Sequence, residues 1–415
     1  MPIRSAGALP SRLLPIQGKP HRTESLLLLK IIPLAALTGV GMLSTDLYLP
    51  ALPHLAQTLA TDVPTVQATV SVYIIVFALS QLAWGWIADR LGMRNTLVAG
   101  IALQIAAGIA CALAGSVYWL IFFRAVQGIG AGAATVVVPV LLRRRFTDAE
   151  AVRAISWVGI AESVIPAIAP VAGAAILLVA SWRATFWVVA LLALMLLPFV
   201  IWLVPAKQAL HEPGEPVNYR LLLRNRAFVR DALIYGLTFG ALVTFVASAP
   251  HLVEVWLGHG PGMFALMQVF GVSSFILAAS RGSAGVQRFG VHKMMQAGGY
   301  AQLLAVTGLL VLGLADVRSA TLMIGFWAIF CAGLGLRGPA TMTRALSVPH
   351  SMTSLASGFL MFLALFLSGV GTQLAGFFLS YGMYPVALLM LVMIVGSLYL
   401  QRGGEAQVVI EGVVD

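Results

Sequence analysis

The most constraining feature of this chain is a series of twelve apolar runs, separated by charged residues, proline and glycine. A helix that crosses the hydrocarbon core of a bilayer needs about 20 such residues. Composition agrees, because 60% of the residues are hydrophobic and 10% are charged, whereas about 25% are charged in soluble domains. We therefore predict an all-α membrane protein with twelve transmembrane helices, near residues 26–48, 65–88, 96–116, 119–142, 155–179, 184–204, 231–253, 263–280, 296–314, 320–342, 353–378 and 384–401.

One long polar stretch divides the twelve runs into six and six. It covers residues 205–230 and contains prolines, a glycine and several charged side chains. A stretch of this kind predicts a linker between two bundles. The predicted organisation is an N-terminal tail, a first six-helix bundle, a linker, a second six-helix bundle and a C-terminal tail, at 1–25, 26–204, 205–230, 231–401 and 402–415.

A short internal repeat supports this division. Residues 89–94 (DRLGMR) follow the second apolar run, and residues 287–293 (QRFGVHK) follow the eighth, about 200 positions later. Two related halves with a site at their interface near the middle of the membrane are typical of secondary transporters.

The basic residues predict the orientation. Of the 25 Lys and Arg residues, about 21 fall in the tails, the linker and the connections on one side, and the opposite loops hold Arg183 and Arg318. The positive-inside rule then places both termini in the cytosol. The net charge of +10 therefore reflects topology, and we expect no nucleic-acid partner. We interpret residues 1–25 as a cytosolic tail rather than a targeting peptide.

The sequence lacks the motifs that are typical of several classes of chemistry. Cys111 and Cys331 lie far apart inside apolar runs, and the seven histidines are scattered, so we expect no disulfide framework, no metal site and no cofactor. The string at Gly18-Lys19-Pro20 lacks the Ser or Thr of a phosphate-binding loop, which argues against a nucleotide-driven pump. We also do not expect an enzyme, because no cluster of polar residues suits catalysis.

Four charged residues fall inside predicted helices, where insertion costs at least a few kcal/mol and a functional role is the first hypothesis. Asp46 and Arg124 are predicted at similar depth, which permits a direct or water-mediated pair between helices one and four. Glu162 lies near the middle of helix five, where a carboxylate can carry a proton, meet a cationic substrate or pair with an arginine. Arg337 lies near the inner end of helix ten, where its side chain can reach the interface.

Glycine and proline residues mark three backbone devices. After the second run, a tight glycine-containing turn with anchoring charges predicts a latch between helices at the cytosolic face, formed by Gly85, Asp89, Arg90, Gly92 and Arg94. In the fourth run, Gly128 and Gly132 have the four-residue spacing of close helix packing. In the fifth run, Pro166 and Pro170 with Gly173 remove backbone donors and favour a bent helix.

Five strings of residues carry a resemblance to a known family. They are 45–53 (TDLYLPALP), 85–94 (GWIADRLGMR), 124–132 (RAVQGIGAG), 169–174 (APVAGA) and 182–187 (WRATFW). Together they resemble the major facilitator superfamily and, within it, the drug:proton antiporters of the bicyclomycin and chloramphenicol resistance type. The match covers mainly the N-terminal half. Ala169 and Ala174 stand where the antiporter motif usually has glycine.

The resemblance implies a proton-coupled exporter of amphipathic small molecules in the inner membrane, working by alternating access. It implies proton coupling through Asp46 and Arg124, and an inner gate at Asp89 and Arg94. Some relatives carry a second acid about two turns before the helix-one aspartate, where this chain has Thr38; if two acids are needed for proton coupling, Glu162 replaces that acid. Small molecules, protons and the bilayer are the expected partners, and we expect a monomer. A proton-coupled importer of a nutrient or metabolite remains the alternative. Residues expected to line the substrate cavity are Tyr48, Tyr73, Phe77, Gln81, Gln127, Tyr235 and Phe245.

Overall fold

The computed structural model describes residues 20–146, 148–204, 219–349 and 352–411. Within these ranges the chain is helical without β-strands, and twelve helices are long and apolar enough to cross a membrane, which confirms the all-α prediction. The helices are α1 Pro20–Asp46, α2 Leu52–Thr58, α3 Val63–Leu91, α4 Met93–Leu113, α5 Val117–Arg145, α6 Asp148–Val179, α7 Arg183–Leu203, α8 Tyr219–Arg224, α9 Arg226–His251, α10 Pro261–Phe289, α11 Val291–Leu314, α12 Ala320–Ala345, α13 Thr353–Phe378 and α14 Met383–Glu411.

Short polar side chains cap the N-termini of several long helices. The Asp62 carboxylate accepts a hydrogen bond from the Thr65 amide at 2.9 Å, and the Ser116 and Ser319 hydroxyls accept in the same way at the starts of α5 and α12. Each of these side chains satisfies an amide that the helix leaves without a partner. The turns between apolar runs therefore set where the helices begin.

Three helices extend into the predicted tails and linker, and α8 lies within the linker. α1 begins inside the predicted tail 1–25, α9 begins inside the predicted linker 205–230, and α14 continues into the predicted tail 402–415. At α9 the cause is local, because the Asn225 side chain accepts from the Phe228 amide at 3.1 Å and caps the helix ahead of the apolar run. The rest of the predicted tails and linker, at 1–19, 205–218 and 412–415, lies outside the described residues.

The helices pack as two sets of six. In the first set α5 packs on α3 and α4, α7 on α4, and α1 on α6; in the second, α12 packs on α10 and α11, and α9 on α13 and α14. The two sets meet where α3 contacts α13 and where α6 contacts α10. Following the predicted orientation, we call the end that carries α2 the outer end and the end that carries Arg90 the inner end.

The short sequence repeat has the same backbone geometry in both halves. Gly92 joins α3 to α4 with φ +81° and ψ 156°, and Gly290 joins α10 to α11 with φ +83° and ψ 154°. Residues other than glycine rarely adopt a positive φ. The two six-helix sets therefore share this turn at the same place in their helix order.

Candidate functional site

Arg124 on α5 is the centre of a buried polar network in the outer half of the first bundle. Its side chain is fully buried. Nε donates to the Thr69 carbonyl at 3.0 Å, Nη1 donates to the Ser44 carbonyl at 3.1 Å and to Gln127 Oε1 at 2.7 Å, and Nη2 donates to Thr45 Oγ1 at 3.3 Å. The guanidinium therefore ties α5 to α1 and α3 through neutral oxygen atoms.

The end of α1 explains why a cation fits here. α1 ends at Asp46, and the Tyr48 amide donates to the Thr45 carbonyl at 3.0 Å, which leaves the Ser44 carbonyl available to Arg124. The last carbonyls of a helix lack helical partners and carry partial negative charge, so they attract a cation. The Arg124 guanidinium carbon also lies 3.9 Å from the centre of the Tyr73 ring, a cation–π contact.

Asp46 does not pair directly with Arg124 in this structure. The described hydrogen bonds of Arg124 go to the four groups named above, and none goes to the Asp46 carboxylate. The direct ion pair permitted by their predicted depths is therefore wrong for this state, because the helix-end carbonyl and the hydroxyl of Thr45 occupy the donors. Tyr73 links the two residues, since its ring contacts Arg124 and lies near enough to Asp46 to interact electrostatically.

Glu162 on α6 lies apart from this network. Its carboxylate is within hydrogen-bonding reach of the Thr38 hydroxyl on α1 and interacts electrostatically with Tyr235 on α9 of the second bundle. Glu162 is partly exposed, whereas Thr38 is buried. The second embedded acid therefore lies at the interface between the bundles.

Six of the seven residues predicted to line the cavity are buried, and Tyr235 is partly exposed. Tyr48, Tyr73, Gln127 and Phe245 are almost completely buried. The Tyr48 hydroxyl lies 2.9 Å from Thr69 Oγ1, the Tyr73 hydroxyl donates to the Gly41 carbonyl at 2.6 Å, and the Phe245 ring stacks on Trp327 with centres 4.6 Å apart.

These four side chains make contacts within a bundle, although Gln127 Nε2 has no hydrogen-bond partner among the described groups, and their place in a substrate cavity stays a prediction. Phe77 and Gln81 on α3 are also buried, at 6% and 9% exposure, and the Gln81 side-chain nitrogen has no hydrogen-bond partner among the described groups. Tyr235 keeps partial exposure and lies near enough to Glu162 to interact electrostatically. Of the seven residues, Tyr235 therefore has the surroundings that best suit contact with a substrate.

The predicted inner-gate residues lie at the junction of α3 and α4. The Gly92 amide donates to the Ala88 carbonyl at 3.0 Å and ends α3, while Arg90 stacks its guanidinium on the exposed Trp86 ring at 3.8 Å. Asp89 and Arg94 lie in the same segment. A Cβ on Gly85 would meet no described atom within 4 Å, so packing does not require glycine at this position.

The two predicted packing glycines of α5 both lie against α3. A Cβ on Gly128 would lie 2.6 Å from the Tyr73 carbonyl oxygen of α3, and a Cβ on Gly132 would collide with Ser80 of the same helix. On α6, Gly173 packs directly against the Leu47 carbonyl, just beyond the end of α1. α6 runs as one helix through Pro166 and Pro170. These glycines let α3 and the end of α1 approach closely enough to surround Arg124.

A set of contacts between the bundles at the outer end was not predicted. Gln67 Nε2 donates to the Ala247 carbonyl at 3.0 Å, the Ser71 hydroxyl donates to Gln373 Oε1 at 2.5 Å, and His54 Nδ1 lies 3.3 Å from Glu254 Oε1. We call these residues, Gln67, Ser71, Gln373, His54 and Glu254, the outer seal. From sequence alone, polar residues near helix ends are expected to be exposed to solvent. The fold brings these residues together.

Arg337 on α12 also differs from its prediction. It is 1% exposed rather than extended to the interface, and it donates to Gln302 Oε1 at 3.1 Å, Ser397 Oγ at 3.2 Å and Gln401 Oε1 at 3.4 Å. Neighbouring glycines explain the burial, because Gly298 leaves no space for a Cβ beside α12. Each bundle therefore holds one buried arginine among neutral acceptors.

Comparison with known proteins places this architecture in a family. The profile of the Major Facilitator Superfamily matches residues 34–376. The uncharacterized MFS-type transporter YdgK of Bacillus subtilis is 27% identical over 384 residues, which cover 88% of this chain and 92% of YdgK. Multidrug resistance protein MdtL of Escherichia fergusonii is 28% identical over 313 residues, covering 74% of this chain and 78% of MdtL.

A solved structure agrees at the level of the fold. The crystal structure of a D-xylose-proton symporter superposes with a TM-score of 0.71 at 14% identity, covering 89% of this chain and 96% of the symporter. The matched profile spans most of the chain, from α1 to α13. The chain is a multi-pass membrane transporter and belongs to the Major Facilitator Superfamily.

Proposed function

We propose that this protein is a proton-coupled multidrug exporter of the bicyclomycin and chloramphenicol resistance type. It would expel amphipathic small molecules across the inner membrane by alternating access, with both termini in the cytosol, as a monomer. The two bundles would be the units 26–204 and 231–401, joined by the linker 205–230. The observation that carries the proposal is the buried network in which Arg124 holds the end of α1 next to Asp46.

The proposed coupling uses the contrast between these two residues. Arg124 is fixed by four neutral acceptors, whereas no basic side chain of the described residues forms an ion pair with Asp46. A carboxylate that is unpaired inside a membrane protein carries its charge at a cost of a few kcal/mol, and a proton removes that cost. Protonation of Asp46 would therefore change the contacts of α1 with Tyr73 and α5 and bias the bundles between two arrangements.

Two further observations support export of drugs. The relative MdtL is named as a multidrug resistance protein, and the helix-one string at 45–53 resembles drug-efflux transporters. Gly173, the glycine of the antiporter-like motif, packs on the Leu47 carbonyl one residue beyond Asp46. The motif is thus in contact with the segment that we assign to coupling, even though Ala169 and Ala174 replace its usual glycines.

A tolerance assay tests the direction of transport. The protein would be produced in a bacterium that lacks its own drug pumps, with growth and intracellular chloramphenicol measured together. We expect higher tolerance and lower accumulation, and loss of both with Asp46→Asn. Asp62→Asn is the matched control, because Asp62 caps α3 in the outer loop and Asn caps equally well. Raised accumulation of the compound would instead favour the importer.

A further inference from the structure

Arg337 is a buried cation that is surrounded by neutral groups. Its guanidinium lies between α11, α12 and α14, and its three hydrogen bonds go to side-chain oxygen atoms of Gln302, Ser397 and Gln401. The ion pairs of the described residues belong to other side chains, and no described acid interacts electrostatically with Arg337. A charge inside a membrane protein is costly unless an opposite charge lies beside it. Arg337 therefore lacks a counter-charge among the described residues.

Arg124 shows how the first bundle compensates its own buried arginine. Its guanidinium binds the Ser44 carbonyl at the negative end of α1 and lies 3.9 Å from the centre of the Tyr73 ring. The acceptors of Arg337 are all side chains, and none of the described aromatic rings makes a cation–π contact with it. The charge of Arg337 is therefore less compensated than that of Arg124.

Nitrogen atoms without partners surround the same guanidinium. Arg337 Nε, Gln302 Nε2 and Gln401 Nε2 are buried and have no hydrogen-bond partner among the described groups. Both glutamines use Oε1 to accept from Arg337, which fixes the orientation of each amide and keeps its Nε2 close to the guanidinium. All three unpartnered atoms are donors, and buried donors are normally satisfied. The group that is missing from this cluster is therefore an acceptor.

The space beside the guanidinium suits a small ion. A Cβ on Gly299 of α11 would lie 3.3 Å from Arg337 Nη1 and 2.5 Å from Leu398 Cδ2, and a Cβ on Gly298 would lie 2.8 Å from Arg337 Cβ. Packing this close excludes a large ligand such as a phospholipid headgroup. A monovalent halide is compact, carries the missing negative charge, and accepts charge-assisted hydrogen bonds from several N–H groups at once.

We propose that Arg337, Gln302 and Gln401 bind a small monovalent anion of the chloride type. The ion would neutralise the buried guanidinium and accept from the nitrogen atoms that the described groups leave unpartnered. Because these residues lie on α12, α11 and α14, the bound ion would hold three helices of the second bundle together. The site lies within one bundle and uses neither Asp46 nor Glu162, so it does not depend on the substrate or direction of transport.

Thermal unfolding of the purified protein in detergent tests the site, with chloride as the probe. Sodium chloride would replace sodium gluconate at constant ionic strength. A ligand that binds the folded state stabilises it, so we expect the unfolding temperature to rise by about 2 °C or more and then to reach a plateau. Arg337→Gln should show no such rise. Arg318→Gln, which changes an exposed arginine at the outer end, should keep it.

A carboxylate built into the site keeps the test decisive if Arg337→Gln does not fold. Gln302→Glu has nearly the same size and places a negative charge on Arg337 itself. It should be as stable without chloride as the unchanged protein is with chloride, and it should no longer respond to the ion. Gln57→Glu makes the same chemical change at an exposed position of α2 and should leave the response intact.

Three results would overturn the anion site. The first is an unfolding temperature of the unchanged protein that is the same in chloride and gluconate. The second is a chloride response in Gln302→Glu that equals the response of the unchanged protein. The third is stabilisation by added phosphatidylglycerol without any stabilisation by chloride, because the ligand would then be a lipid rather than a small anion.

Discussion

At the scale of single residues, the positions of the two buried arginines follow from the supply of neutral oxygen atoms around them. Arg124 uses backbone carbonyls at Ser44 and Thr69, and Arg337 uses amide and hydroxyl side chains. A buried cation without hydrogen-bond partners would cost several kcal/mol, and these acceptors offset part of that cost, although Arg337 Nε has no partner among the described groups. Each arginine therefore holds helices together as well as carrying charge.

The fork of hydrogen bonds at Arg124 predicts that lysine cannot replace it. Lys has one nitrogen and cannot reach acceptors on α1, α3 and α5 together. Each partner left unsatisfied would cost about 1–3 kcal/mol, so we expect Arg124→Lys to lower the thermal unfolding temperature in detergent and to abolish transport.

Arg183→Lys is the control for this substitution. Arg183 is half-buried, donates to the Ala114 carbonyl at 3.0 Å, and stacks on Trp182 at the same end of the bundle. It makes fewer internal bonds, so its lysine variant should melt closer to the unchanged protein. Equal melting temperatures for the two variants would contradict the structural role of Arg124.

The sequence predicts which charged residues are embedded in the membrane better than it predicts their contacts. Asp46, Arg124 and Glu162 stand out because charge is costly inside apolar runs. The groups that bind them cannot be recognised in the sequence, because a backbone carbonyl such as that of Ser44 has no side-chain signature. Arg337 was misplaced for the same reason, because the amides that bury it lie 35 and 64 positions away in the chain.

At the scale of elements, α5 is the helix around which the first bundle is organised. Gly128 and Gly132 face α3, while Gly130 lies against Gly100 of α4. Small residues on two faces let α5 contact both neighbours backbone to backbone. The four-residue spacing in the sequence predicted this contact, although not which helix would be the partner.

Two alanine substitutions separate close packing from helix preference. Gly128→Ala would place a methyl group 2.6 Å from the Tyr73 carbonyl oxygen, so we expect a loss of about 1–3 kcal/mol in unfolding free energy. Gly85→Ala meets no atom within 4 Å, and alanine favours a helix by up to about 1 kcal/mol over glycine. Thermal unfolding in detergent should show a decrease for the first and none for the second; the reverse order would disprove this packing arrangement.

At the scale of the whole molecule, the outer seal describes one of the two states that alternating access requires. Contacts of α3 and α2 with α9, α13 and the turn after α9 join the bundles at the outer end. If the protein exports its substrate as proposed, these contacts must separate before the substrate leaves. The sequence predicted the two bundles from length, hydropathy and repeat, but the contacts between them arise from side chains far apart in the chain.

A reversible cross-link tests whether this separation is needed. A Cβ on Gly376 of α13 would lie 2.8 Å from the Gln67 Cβ of α3, so cysteines at both positions are within reach of a disulfide after a small shift. We expect oxidised Gln67→Cys/Gly376→Cys protein to lose transport and reduced protein to regain it. Gln67→Cys alone should respond to neither treatment, and Cys111 and Cys331 are buried and should not interfere. Transport that continues in the fully cross-linked protein would rule out opening at this end.

The central claim is that Asp46 couples protons to substrate movement, and proteoliposomes with an internal pH indicator measure it most directly. Addition of a transported compound should move protons in the unchanged protein. In Asp46→Asn that substrate-dependent proton movement should disappear, while exchange of labelled compound across the membrane without a proton gradient continues. Proton movement of unchanged size in Asp46→Asn would contradict the account.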